Sequence, residues 1–145
     1  MNATQPISSA TSLPKGVQRI QVLPNAELGD LWRSIIVAES VKEQLLSQAV
    51  LNFTVRAKVK RSVLPLHGVI LLVGPPGTGK TSLAKGLASQ TAEAFSGKSF
   101  RLLEVEPHAL TSSAMGKTQQ AVSTLFSQSI AEAALQGPTI VLLDE

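Results

Sequence analysis

Eight consecutive residues, Gly74, Pro75, Pro76, Gly77, Thr78, Gly79, Lys80 and Thr81, have the types and spacing that can grip a chain of phosphates. Several backbone N–H groups must point inward at once, and a turn that tight leaves no room for side chains, which accounts for Gly74, Gly77 and Gly79. A helix that starts inside the turn offers its free N–H groups and the positive end of its dipole to the same anion. Lys80 is placed to reach the β- and γ-phosphates as a point charge, and Thr81 to give its hydroxyl to Mg²⁺. Ser82 completes the stretch read as nucleotide-binding. At ordinary residue usage, chance produces this pattern in fewer than about one in a hundred chains of this size.

A phosphate loop that works with Mg²⁺ needs a carboxylate at the end of a second buried strand. The segment "TIVLLDE" supplies it, its apolar residues carrying Asp144 to a strand's C-terminal edge, where ligand sites of α/β proteins lie. Asp144 is therefore assigned to the metal together with Thr81. Glu145, one residue on, is assigned to polarise a water against the γ-phosphate, which makes Glu145 and Lys80 the catalytic candidates. ATP and Mg²⁺ are the implied cofactors. His67 and His108 have no partners at metal or catalytic spacing and read as structural. The chain has no cysteine, which removes disulfides, thiol nucleophiles and cysteine-ligated metals together.

The elements that must position these residues are visible as periodicities. Val69–Val73 is a wholly apolar run, the pattern of a strand buried on both faces of a parallel sheet. The helix after the loop puts Leu83, Ala84, Leu87, Ala88 and Ala92 on its inner face. "FRLLEVE" predicts a second strand. A second helix is expected from about Thr118, burying Val122, Leu125, Phe126, Ile130 and Ala134 and stopping at Gly137-Pro138. "TIVLLDE" is the third strand, and strands alternating with helices predict an α/β fold with a parallel sheet. Upstream, apolar residues from Val41 to Phe53 recur at helical spacing, and Trp32 is expected to anchor the segment before them. Residues 1–25, rich in Ser, Thr, Pro and Gln, predict a flexible arm, leaving 26–145 as the folded part.

With 145 residues, 43% of them hydrophobic and 16% charged, the chain can bury one core. A net charge of +3 is too small and too spread to make a nucleic-acid footprint. Its densest cluster, Arg56, Lys58, Lys60 and Arg61, reads as a solvated loop. The N-terminus has neither the basic start nor the apolar core of a secretory signal, and no apolar run approaches the length of a membrane span, so a cytoplasmic protein is expected.

"VILLVGPPGTGKTSLAKGLA" followed by "IVLLDE" resembles the AAA+ ATPases, ring-forming motors that remodel protein or nucleic acid. "SAMGKTQQAVSTLF" is similar to the pore loop and following helix of that family, and "LWRSIIVAESVKEQLL" to its linker and first helix. "GDLW", "GPPGTGKTSL" and "PHAL" look most like the pachytene-checkpoint subgroup, which unfolds HORMA-domain proteins. The resemblance spans about Glu27 to Glu145. It implies a three-layer P-loop NTPase domain, ATP hydrolysis coupled to remodelling of a protein partner such as a HORMA-domain protein, and a hexameric ring. It also implies that Ile35 and Ile36 pack near the adenine and that Met115 and Gly116 lie in a substrate pore loop, with Ala114 where the family usually carries an aromatic. Family members have a fourth strand between the first and third, a fifth strand and a helical lid, and this sequence shows none of them. The chain accordingly reads as the N-terminal part of such a domain, with strands one to three, and the first strand is expected to lack a sheet neighbour. Two other readings stay open: a nucleic-acid-directed motor or clamp-loader-like ATPase, suggested by Arg56–Arg61, and a nucleotide-binding fragment without turnover.

Overall fold

The computed structural model describes residues 12–60, 62–64, 67–106, 108 and 115–144, apart from the side chains of 115–118. Order begins earlier than composition predicts. Val17–Leu23 is a strand, β1, so the expected flexible arm does not extend to residue 25. β1 pairs antiparallel with β2, Phe100–Val105, from Val17↔Val105 to Leu23↔Phe100, with an irregularity between Val17 and Arg19. Aliphatic residues at both ends of VQRIQVL give the pairing its hold, since Val17 and Leu23 are buried. β2 pairs in parallel with β3, Thr139–Leu142, from Arg101↔Thr139 to Glu104↔Leu142. The sheet, in the order β1-β2-β3, is therefore mixed and not wholly parallel.

The apolar run Val69–Val73 does not join this sheet. Its side chains alternate: Val69, Leu71 and Val73 are 70%, 82% and 84% exposed, while Ile70 and Leu72 pack against a cluster of Trp32, Ala49, Leu83 and Leu87. Period two is the strand pattern, but a strand is completed only by a hydrogen-bonded neighbour, and none of the described residues pairs with this segment. The expectation of a strand without a sheet neighbour holds; the expectation of burial on both faces does not.

Helices cover both faces of the sheet. α1, Ala26–Ser34, starts where the Asn25 side chain accepts the Leu28 N–H at 3.2 Å. α2 is Glu39–Arg56 and α3 is Lys80–Glu93. α3 is sandwiched, with Leu83 and Leu87 toward Trp32 and Ala49, and Ala88 and Ala92 toward Leu23, Phe100 and Leu102. It comes so near α1 that a Cβ on Gly86 would lie 2.9 Å from the Cβ and 3.0 Å from the Cα of Trp32. The anchoring role expected of Trp32 is met at this crossing. Ser89, fully buried beside it, accepts the Asn25 N–H at 3.0 Å and donates to the Asn25 carbonyl at 3.1 Å.

On the other face, α4, Met115–Thr124, continues through a π-helical stretch, Leu125–Ile130, into α5, Ala131–Gln136. Leu125 and Ala133 pack with Val17, Leu103 and Val105. This helix was expected from about Thr118 with a wider apolar stripe, yet Phe126 is half exposed and Ala134 exposed. Full burial is confined to the line Leu125, Ser129 and Ala133, with Ile130 packed beside it, and the Ser129 hydroxyl donates to the Lys15 carbonyl at 2.9 Å.

Candidate functional site

α3 can start at Lys80 because Gly79 adopts a φ of 83°, in the left-handed region that a side chain disfavours. Gly77, at 76°, turns the chain two residues earlier. The Thr78 hydroxyl donates to the Pro75 carbonyl at 2.8 Å and ties the turn together. Leu83 is the first residue of this turn whose N–H reaches back to Gly79, at 2.9 Å, so the N–H groups just before it are the ones a helix start leaves free. Lys80 Nζ donates to the carbonyls of Gly74 at 2.8 Å and Pro75 at 2.7 Å. Those acceptors are neutral. A phosphate oxygen is charged and makes the stronger partner for an ammonium.

β3 brings the carboxylate. Leu142 packs on the cluster beneath α3. Residues two apart on a strand share a face, so Asp144 projects toward the same helix. The Thr81 hydroxyl donates to Asp144 Oδ2 at 2.7 Å, joining residues 63 positions apart. Pro76, Gly77, Gly79, Lys80, Thr81, Ser82 and Asp144 together line a cavity of about 460 Å³. The donor set fits Mg²⁺ and a phosphate chain. A hydroxyl and a carboxylate are the hard oxygen ligands that this cation prefers. With its proton directed at Asp144, the Thr81 oxygen keeps its lone pairs for a cation.

Other residues named from sequence fall differently. Pro75 and Thr78 shape the loop, and a Cβ on Gly74 would meet Thr78 Oγ1 at an ordinary contact distance of 3.5 Å. Ile35 and Ile36 do not line the cavity. Ile35 packs toward Trp32, while Ile36 is 99% exposed, because successive residues after the helix end point to opposite sides. Glu145 and the side chains of Met115 and Gly116 lie outside the described residues. His67 and His108 are exposed. Among the described residues no cluster of His, Cys, Asp and Glu could hold a metal without the loop, and no helix is long and apolar enough to cross a membrane.

Two lysine contacts escaped the sequence reading. Lys42 is buried, and its ammonium caps the Trp32 carbonyl at 2.8 Å. Lys85 Nζ lies 2.9 Å from Glu104 Oε2, linking α3 to β2. The second was open to discovery from sequence: Glu104 follows Leu102 by two residues on one strand face, and Lys85 follows Thr81 by one helical turn.

The family model described as ATPase family associated with various cellular activities (AAA) matches residues 70–145. The chain is 72% identical over 138 residues to CD-NTase-associated protein 6 of Pseudomonas aeruginosa, covering 95% of this chain and 45% of that protein. The solved structure of C. elegans PCH-2 is similar at a TM-score of 0.67 and 32% identity, over 84% of this chain and 33% of that one. Trip13 of E. coli MS115-1, solved in a HORMA:CdnC:Trip13 complex, is similar in fold at a TM-score of 0.69 and 21% identity, over 88% of this chain and 46% of that one. The chain thus spans less than half the length of each of these proteins.

Proposed function

Because the chain belongs to the AAA family of ATPases, we propose that it binds ATP with Mg²⁺ in the stretch Gly74 to Ser82, and that ATP hydrolysis in the whole protein remodels a protein partner. The observation that supports the nucleotide reading is the 2.7 Å hydrogen bond from Thr81 to Asp144, beside a helix start with free N–H groups. In this reading Lys80 leaves the Gly74 and Pro75 carbonyls for the β- and γ-phosphates, and the N–H groups of the turn hold the β-phosphate. Thr81 and Asp144 orient the oxygen shell of the metal, whose charge offsets that of the phosphate oxygens. Glu145, next in sequence to Asp144, aligns the attacking water and takes its proton.

Equilibrium binding of ATP to this chain tests the site. Losing a hydrogen-bonded ammonium costs about 1.5–3 kcal/mol, so Lys80→Ala is expected to weaken binding by about 10- to 100-fold. Unchanged affinity in that variant sinks the nucleotide reading. For hydrolysis the variant is Glu145→Gln in a protein of the relatives' length: binding is kept and turnover lost, whereas loss of binding would assign Glu145 another role.

The proposed partner is a HORMA-domain protein, and the proposed assembly is the hexameric ring of the family, with Met115 and Gly116 in its substrate pore loop. The support is the sequence resemblance together with the complex in which E. coli Trip13 was solved. A HORMA-domain protein is expected to stimulate ATP turnover. Stimulation by DNA, falling steeply with salt, would replace this reading with the nucleic-acid motor.

A further inference from the structure

Directly behind the phosphate site lies an ion pair that the site does not use. Lys85 Nζ and Glu104 Oε2 are 2.9 Å apart, with 23% and 13% of the two side chains exposed. The other ion pair among the described residues, Arg33 with Asp30, lies within one helix and is exposed. On the sheet face beneath α3, contacts form a row. Ala88 and Ala92 pack with Leu102, Lys85 meets Glu104, and Thr81 meets Asp144. Each step toward the start of the helix is matched by a step toward the strand ends. Glu104 is the register partner of Leu142, two residues before Asp144.

Ala88 and Ala92 bring only methyl groups to this face, so the position of α3 along β2 is set more sharply where the Lys85 ammonium meets one carboxylate. The pair is a poor source of stability: Glu104 Oε1 is buried with no hydrogen-bond partner among the described residues, and desolvating two charges offsets much of their attraction. What a semi-buried pair supplies well is register. We propose that Lys85 and Glu104 are a positioning pair, holding α3 over β2 so that Thr81 meets Asp144 at hydrogen-bonding distance. Its effect on metal-dependent binding rests on the nucleotide reading above.

The test compares the chain with Lys85→Met, Glu104→Gln and the charge-preserving Lys85→Arg. Calorimetry with a non-hydrolysable ATP analogue gives the affinity with Mg²⁺ and in chelator. Removing a group that orients metal ligands costs about 10- to 100-fold, so the Mg²⁺-dependent gain in affinity is expected to fall at least about tenfold in Lys85→Met and Glu104→Gln. Affinity in chelator should stay within about threefold, and Lys85→Arg should keep the gain. A lowered melting temperature with the gain intact overturns the proposal and leaves the pair structural. If the unsubstituted chain binds no nucleotide, the nucleotide reading fails on its own, and amide hydrogen exchange then decides the positioning claim. Faster exchange in the first turns of α3 in Lys85→Met, with β1 and β2 unchanged, upholds it; unchanged exchange in α3 overturns it.

Discussion

Asp144 accepts a hydrogen bond from the Thr81 hydroxyl, and either an ionised carboxylate or a neutral amide oxygen can do that. The two differ in charge, which matters only once a cation arrives. Asp144→Asn is therefore expected to leave nucleotide affinity in chelator nearly unchanged and to lower the Mg²⁺-dependent gain by about 10-fold or more, since hydrogen bonds and contacts to a charged group carry about 1.5–3 kcal/mol. Titrations with and without Mg²⁺ read both numbers, and an equal loss in the two would place Asp144 in loop support and not at the metal. At this scale the sequence was highly legible. Gly77 and Gly79 answer the positive φ of their own turn, and the apolar run before Asp144 was enough to bring it to Thr81. Ile36 stands exposed while Ile35 packs toward Trp32, because a single position after a helix end chooses between two opposite sides, and no periodicity records that choice.

Between elements, the crossing of α1 and α3 explains two residue types that helix propensity disfavours. Gly86 costs about 1 kcal/mol against Ala in an ordinary helix interior. Here the methyl would meet the Trp32 backbone at 3.0 Å, and backbone cannot swing aside. Gly86→Ala is expected to reverse the usual sign and destabilise by about 1–3 kcal/mol, the range of overpacked cores. Ser89→Ala leaves the half-buried Asn25 N–H without its partner, while the Asn25 carbonyl keeps the Gly29 N–H, with an expected cost of about 1–3 kcal/mol. Urea denaturation measures both, and a stabilised Gly86→Ala would mean that the two helices stand further apart than described. Helix α3 was readable because its stripe repeats over fourteen residues. β1 was not, because its partner β2 lies far along the chain and its inner positions are exposed or only partly buried, which blurs the alternation.

Across the whole molecule, two apolar strand-like runs meet unequal fates. Leu103 lies on the central strand of the sheet, packed against Leu125 and Ala133 of the covering helices, and is 0% exposed. Leu71 has the same side chain in an equally apolar run, yet stands open because no described segment pairs with its backbone. Pattern reveals that a segment can be a strand; whether it becomes one depends on a neighbour that local sequence does not encode, which is why Val69–Val73 looked doubly buried. The difference is measurable. Leu103→Ala should cost about 2–5 kcal/mol, as expected for emptying a core site. Leu71→Thr should stay within about 0.5 kcal/mol, because it removes no contact and suits an extended backbone. Ile70 and Leu72 face the Trp32 cluster, so a polar replacement at Leu72 belongs with the first variant and not the second. Urea denaturation of this chain separates the alternatives. A penalty at Leu71 approaching that at Leu103 would mean that the outer side of 69–73 is covered in solution, whereas a penalty confined to Leu72 would show that this segment is held from one side only, by the helices that also carry the phosphate loop.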